Sequence, residues 1–293
     1  MLIYLRIIKF PMLFIVFAMA WTGFFLVNAL KGNASGAGIG SMLLCAFSAV
    51  FLYAADAIFA EIYEACINQS KNTIARSDSF ILTMLILLLA GLLFAELAGL
   101  VSLVLACAFV FAALFRTIYR LKLWVLSRAV EGLLYAMVIL IGISFIDRPF
   151  SGNTGLIVFA MFILATDAFL LALMESPEMQ RLPWKWVFIL SAGSGLMFFI
   201  VYLVMPAGER MSVTILTFTL MIVWYMFGLK FSYSNGDIAV MSGIGKGMIA
   251  GLCAIMLFAV SKNMASLFPA MAVLGLAAGY GISSFLITKF SRE

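Results

Sequence analysis

The sequence predicts an all-α protein, a polytopic transmembrane bundle of nine to ten helices forming one integral membrane domain over residues 1–293. Three observations carry that prediction. Apolar residues make up 66% of the chain and charged residues only 11%. A soluble domain holds about 45–50% apolar and about 25% charged residues, so the surplus apolar surface belongs in lipid. The mean hydropathy is +1.19, and apolar runs of spanning length, about 20 residues each, recur along the whole chain.

Taken in order, the runs fall near 10–30, 38–60, 79–95, 97–115, 129–146, 154–174, 186–205, 211–229, 241–261 and 264–288. The first follows Arg6 and Lys9, and Ala18-Met19-Ala20 resembles a cleavage site. The run continues through Trp21 to Val27, long enough to span, so a membrane helix is expected there rather than a signal peptide. Only Glu96 and its neighbours interrupt the third and fourth runs, which predicts a tight hairpin. Pro149, Pro177, Pro183 and Pro206 fall in or beside the later breaks, where a missing N–H costs least.

Charge placement orients the bundle. With ten spans and the N-terminus inside, Lys31, Arg148, Arg210 and Lys262 fall on one side and the other 14 of the 18 basic residues on the opposite side. The positive-inside rule then predicts both termini in the cytoplasm, as in a bacterial inner membrane protein. One miscounted span in the middle would mix the two sets, so the asymmetry favours an even total. It also accounts for the net charge of +5 without nucleic acid as a partner. The cytoplasmic connections near 61–78, 116–128, 175–185 and 230–246 are the longer ones and hold most of the charge, so function is expected at that face.

The chain has no histidine. That excludes Ser-His-Asp and Cys-His nucleophilic catalysis, His-ligated zinc and His-held haem. Cys45, Cys66, Cys107 and Cys253 are scattered and read as free thiols in apolar helices.

Ionisable residues inside membrane segments are costly and mark functional candidates. Asp56, Glu61 and Glu64 close the second run. On a helix Asp56 and Glu64 lie about 80° apart and Glu61 about 60° beyond Glu64, so all three share a flank. Asp167, Glu175 and Glu178 repeat the pattern at the end of the sixth run. Two acidic clusters at one depth suit Mg²⁺, which takes carboxylate oxygens together with substrate phosphates. The alternatives are interfacial charges in water for the glutamates, and bonds to neighbouring helices for Asp56 and Asp167. Arg116, Arg120 and Arg128 read as topology determinants or lipid-headgroup contacts. Trp124, Trp184 and Trp186 read as interfacial anchors. Gly243, Gly245, Gly247 and Gly251 read as close helix-packing positions.

Six stretches in order along the chain resemble the UbiA superfamily of intramembrane prenyltransferases, including its EboC-like branch. Tyr4-Leu-Arg-Ile-Ile-Lys-Phe-Pro11 is similar to the family's opening L-R-x-x-R-P. The stretch from Asp56 to Glu64 falls where the family has N-D-x-x-D-x-x-x-D, and Asn72 to Arg76 falls where it often reads R-P-I-P-S-G. Tyr119-Arg-Leu-Lys122 resembles the tyrosine–lysine element after helix four. Glu175-Ser-Pro-Glu178-Met-Gln-Arg181-Leu-Pro183 resembles the second acidic motif, and Asp237 to Ile249 the late V-K-x-G-I-L stretch.

The resemblance implies transfer of an isoprenoid group from a prenyl diphosphate to a lipophilic, aromatic or lipid, acceptor. It implies Mg²⁺ held by Glu64, Glu175 and Glu178, with Asp56 and Glu61 completing the acidic set. Lys71, Arg76, Tyr119, Lys122 and Arg181 would hold the diphosphate. Ala57 and Ala60 stand where the family has aspartates, and Glu61, one residue past Ala60, is the expected replacement. Two further readings stand beside the enzyme. One is a catalytically silent member of the same fold, acting in export or scaffolding of a small metabolite. The other is an unrelated transporter with Asp56 and Asp167 as proton or ion sites.

Overall fold

The computed structural model describes residues 5, 7–31, 39–67, 78–120, 123–144 and 268–290, with short stretches between 161 and 173 and between 246 and 257. Among these residues there is no strand. Six helices are complete: α1 Phe10–Lys31, α2 Ile39–Ile67, α3 Asp78–Ala98, α4 Leu100–Tyr119, α5 Trp124–Ile143 and α6 Phe268–Phe290. Each is long and apolar enough to cross a membrane, and the chain is a membrane-embedded helical protein. The described residues of the 154–174 and 241–261 runs are also helical. The runs at 186–205 and 211–229 lie outside the described residues.

Local chemistry sets the helix ends. Pro11 and Pro269 each occupy the second residue of a helix, where the missing N–H has no intrahelical partner to lose. Asp78 opens α3, its charge favourable at the positive end of the helix dipole. The α3–α4 hairpin turns on one residue, Gly99, not on Glu96. Gly99 has φ of 140°, a backbone conformation that side-chain-bearing residues rarely adopt. Glu96 remains on α3 and exposed, so a charge near a membrane surface did not end the helix.

Two other boundaries differ from expectation. α2 runs to Ile67, carrying Glu61 and Glu64 on the helix, and α5 begins at Trp124, so Arg128 and Glu131 lie within it. Trp124 is partly buried and packs against the core.

The helices form two groups. α1, α2 and α5 are inner helices, their apolar spans 61, 61 and 67% buried, whereas those of α3, α4 and α6 are only 17, 28 and 17% buried. α1 packs on α2, α5 and α6; α2 on α3, α4 and α5; and α4 bridges α3 to α5. The outer faces carry exposed rows such as Leu82, Ile86, Leu89 and Leu93 on α3, at helical spacing and suited to lipid.

Lipid tails are as apolar as leucine, so packing and polar bonds rather than apolar burial hold such helices together. Small residues supply the packing. A methyl group added at Gly23 of α1 would collide with the Ile139 carbonyl oxygen of α5, and one at Gly142 with the Ala20 carbonyl of α1. The two backbones therefore touch at both glycines. Between α2 and α3, Gly91 admits Leu52, and the Ser48 hydroxyl donates to the Gly91 carbonyl at 2.9 Å. Of the late glycines, Gly247 faces Tyr280, Gly251 meets nothing among the described residues, and Gly243 and Gly245 lie outside them.

Candidate functional site

Alternation of the helices brings the start of α1, the C-terminal parts of α2 and α4, and the start of α5 to one end of the bundle. α2 and α4 run parallel there. Their cross-links keep chain order: Asp56 to Arg116, the Tyr63 hydroxyl to the Ile118 carbonyl at 3.3 Å, and Glu64 to Arg120.

At this end lies a charge network spanning α2, α4 and α5. Arg116 Nη2 donates to both oxygens of Asp56, at 2.8 and 3.0 Å. Its Nη1 lies 3.9 Å from Glu131 Oε1, and Arg128 Nη1 donates to Glu131 Oε2 at 3.2 Å. The Ser127 hydroxyl donates to the Arg116 backbone carbonyl at 3.0 Å, tying α5 to α4 at the same level. Tyr53 and Tyr135 lie beside the network. The side chains of Asp56 and Arg116 are only 4 and 13% exposed. Lys9, just before α1, adds positive potential at Asp56 and Glu131, and Lys246 adds it at Glu131.

The local sequence explains this placement. Asp56 is flanked by Ala54, Ala55 and Ala57, all buried, so the helix backbone lies close enough for a short carboxylate to meet α4. Arginine has the reach and the planar fork to serve two acids from one position. An apolar cavity of about 150 Å³ opens beside the network, walled by α2, α3 and α4. Among the described residues Asp56 is its single ionisable lining residue, with neighbours that include Leu52, Phe59, Leu88 and Phe109.

The sequence-predicted residues divide accordingly. Asp56 is buried and held by Arg116. Glu64 pairs with Arg120 in a half-exposed bridge. Glu61 is partly buried and makes no ion pair among the described residues. Tyr119 is exposed and its ring packs 4.6 Å from that of Phe115, one turn back on α4. Lys71, Arg76, Lys122, Asp167, Glu175, Glu178 and Arg181 lie outside the described residues.

Arg116, Arg120 and Arg128 are partners of carboxylates, a role their reading as topology determinants did not contain. Glu131 drew no notice in the sequence. Its signal was present, an acid two residues inside an apolar run.

The carboxylates described do not present a magnesium site as they stand. Asp56 and Glu64 are occupied by guanidinium groups, and no three His, Cys, Asp or Glu side chains converge among the described residues. No family model, curated protein or solved structure matches this chain.

Proposed function

We propose that this protein is an intramembrane prenyltransferase of UbiA-like type, moving an isoprenoid group from a prenyl diphosphate to a lipophilic acceptor. The observation that carries the reading is the position of Asp56, which belongs both to a buried arginine–carboxylate network and to the wall of an apolar cavity. Such a junction suits a lipophilic acceptor that is apolar over most of its surface and polar at one end, with the diphosphate held outside the cavity on the guanidinium side of the network. Guanidinium groups match phosphate oxygens in paired hydrogen bonds, and Arg116 and Arg128 lie in one network. In the reaction, the carbon–oxygen bond of the allylic diphosphate breaks, the diphosphate leaves with the electron pair, and the acceptor bonds to the allylic carbon as it loses a proton. Fixed cations stabilise the charge that develops on the leaving group.

The test is conversion of radiolabelled prenyl diphosphate by the purified full chain in lipid nanodiscs, with and without Mg²⁺, across phenolic and lipid acceptors. Labelled product is expected with the native chain and none with Glu61→Gln. Full turnover by that variant would remove Glu61 from the mechanism. No turnover with any acceptor would overturn the enzyme reading.

A second reading is favoured by one observation: Asp56 and Glu64 are each bound to an arginine. A catalytically silent carrier or scaffold for a small lipophilic metabolite would keep such pairs as structural ties. It would show no turnover, and Glu64→Ala would leave its phenotype unchanged.

A further inference from the structure

The cavity's size and lining define what it can hold, whether or not the protein transfers prenyl groups. A cavity of about 150 Å³ has the volume that takes a benzene-sized ligand. Phe59 of α2 and Phe109 of α4 line it, and aromatic side chains pack well against a ring, edge-to-face or offset. The lining residues Met84 and Leu88 of α3 and Val110 and Leu114 of α4 are only partly buried. The spans of both helices are only 17 and 28% buried, so this is the side of the cavity nearest the lipid-exposed surface, the side from which an apolar ligand would reach it.

Asp56 sets the ligand's charge. Arg116 is not among the lining residues, so an anion in the cavity would meet the carboxylate without the guanidinium. A cation would compete with Arg116 for the same two oxygens and leave the buried guanidinium short of a partner. A neutral hydroxyl does neither. A carboxylate has about four lone-pair sites, two of them used by Arg116, so Asp56 retains acceptor capacity. We propose that this cavity binds an uncharged, single-ring molecule from the lipid phase that donates one hydroxyl hydrogen bond to Asp56, the chemistry of a simple phenol.

The experiment uses the full chain in detergent and 4-fluorophenol as the probe, read by fluorine NMR against detergent alone. Saturable binding is expected. Fluorobenzene, which lacks the donor, and 4-fluorobenzoate, which is charged, should each bind about ten-fold more weakly, the effect of one lost hydrogen bond or one unfavourable charge. Val110→Phe and, separately, Ala113→Leu fill the cavity and should abolish saturable binding. Leu93→Phe, on the lipid-facing side of α3, should not change it. Equal 4-fluorophenol binding by the native chain and both filled variants would overturn the proposal, as would equal affinity for fluorobenzene. Prenyl transfer is read separately, so loss of either result leaves the other standing.

Discussion

Two arginine–carboxylate pairs join α2 to α4, and they differ in almost everything but chemistry. Asp56–Arg116 has side chains 4 and 13% exposed, Arg116 reaches on toward a second acid, Glu131, and Asp56 borders a cavity. Glu64–Arg120, further along both helices, has side chains 44 and 46% exposed and does not line that cavity. In an exposed pair, solvent screening leaves about 0.2–1 kcal/mol. In a buried pair the desolvation of both ions is already spent, and either member left alone is severely unfavourable. The same residue types thus act as a minor interfacial tie in one place and as an obligate network in the other.

The largest effect expected from breaking this contrast is at Arg116. Arg116→Ala leaves Asp56 buried without its cation, a loss of about 3–5 kcal/mol, read as a fall in the thermal unfolding midpoint of the protein in detergent. Next comes Glu131→Gln, which keeps the shape and Arg128's acceptor but weakens two charge contacts. A loss of about 1–3 kcal/mol is expected on the same measurement. Arg120→Ala should cost no more than about 1 kcal/mol, and that cost should shrink further as salt rises. The smallest net effect is expected from removing the buried pair whole. Asp56→Leu with Arg116→Leu leaves Glu131 paired to Arg128 and should unfold within about 1 kcal/mol of the native protein. A double variant as unstable as Arg116→Ala would show that the pair itself, not the stranded charge, carries the stability.

Much of this architecture is legible in the sequence, because a membrane forces long apolar runs and the runs are hard to miss. α1, α3, α4 and α6 lie within a few residues of their expected positions. The ends of α2 and α5 were not legible, for one physical reason. A helix continues as long as its backbone bonds are made, and charges that pair across helices, such as Glu64 and Arg128, need not end it. The α3–α4 turn followed backbone freedom at Gly99 rather than charge at Glu96.

For the site, Asp56 stood out because an acid inside an apolar run demands a partner. Its partner did not stand out. The positive-inside rule explains any arginine near that face equally well, so Arg116 looked ordinary until α4 was seen to hold it against α2. Glu131 lies inside the expected 129–146 run, but nothing in the sequence pairs it with Arg116 on the preceding helix.

The central claim is that the buried network is a coupled unit and the outer bridge is not. Double-mutant cycles for Asp56/Arg116 and for Glu64/Arg120, measured by unfolding of the full chain in the same detergent, test it most directly. The account predicts a coupling of several kcal/mol for the first pair and about 0.5 kcal/mol or less for the second. Equal couplings for the two pairs would contradict it.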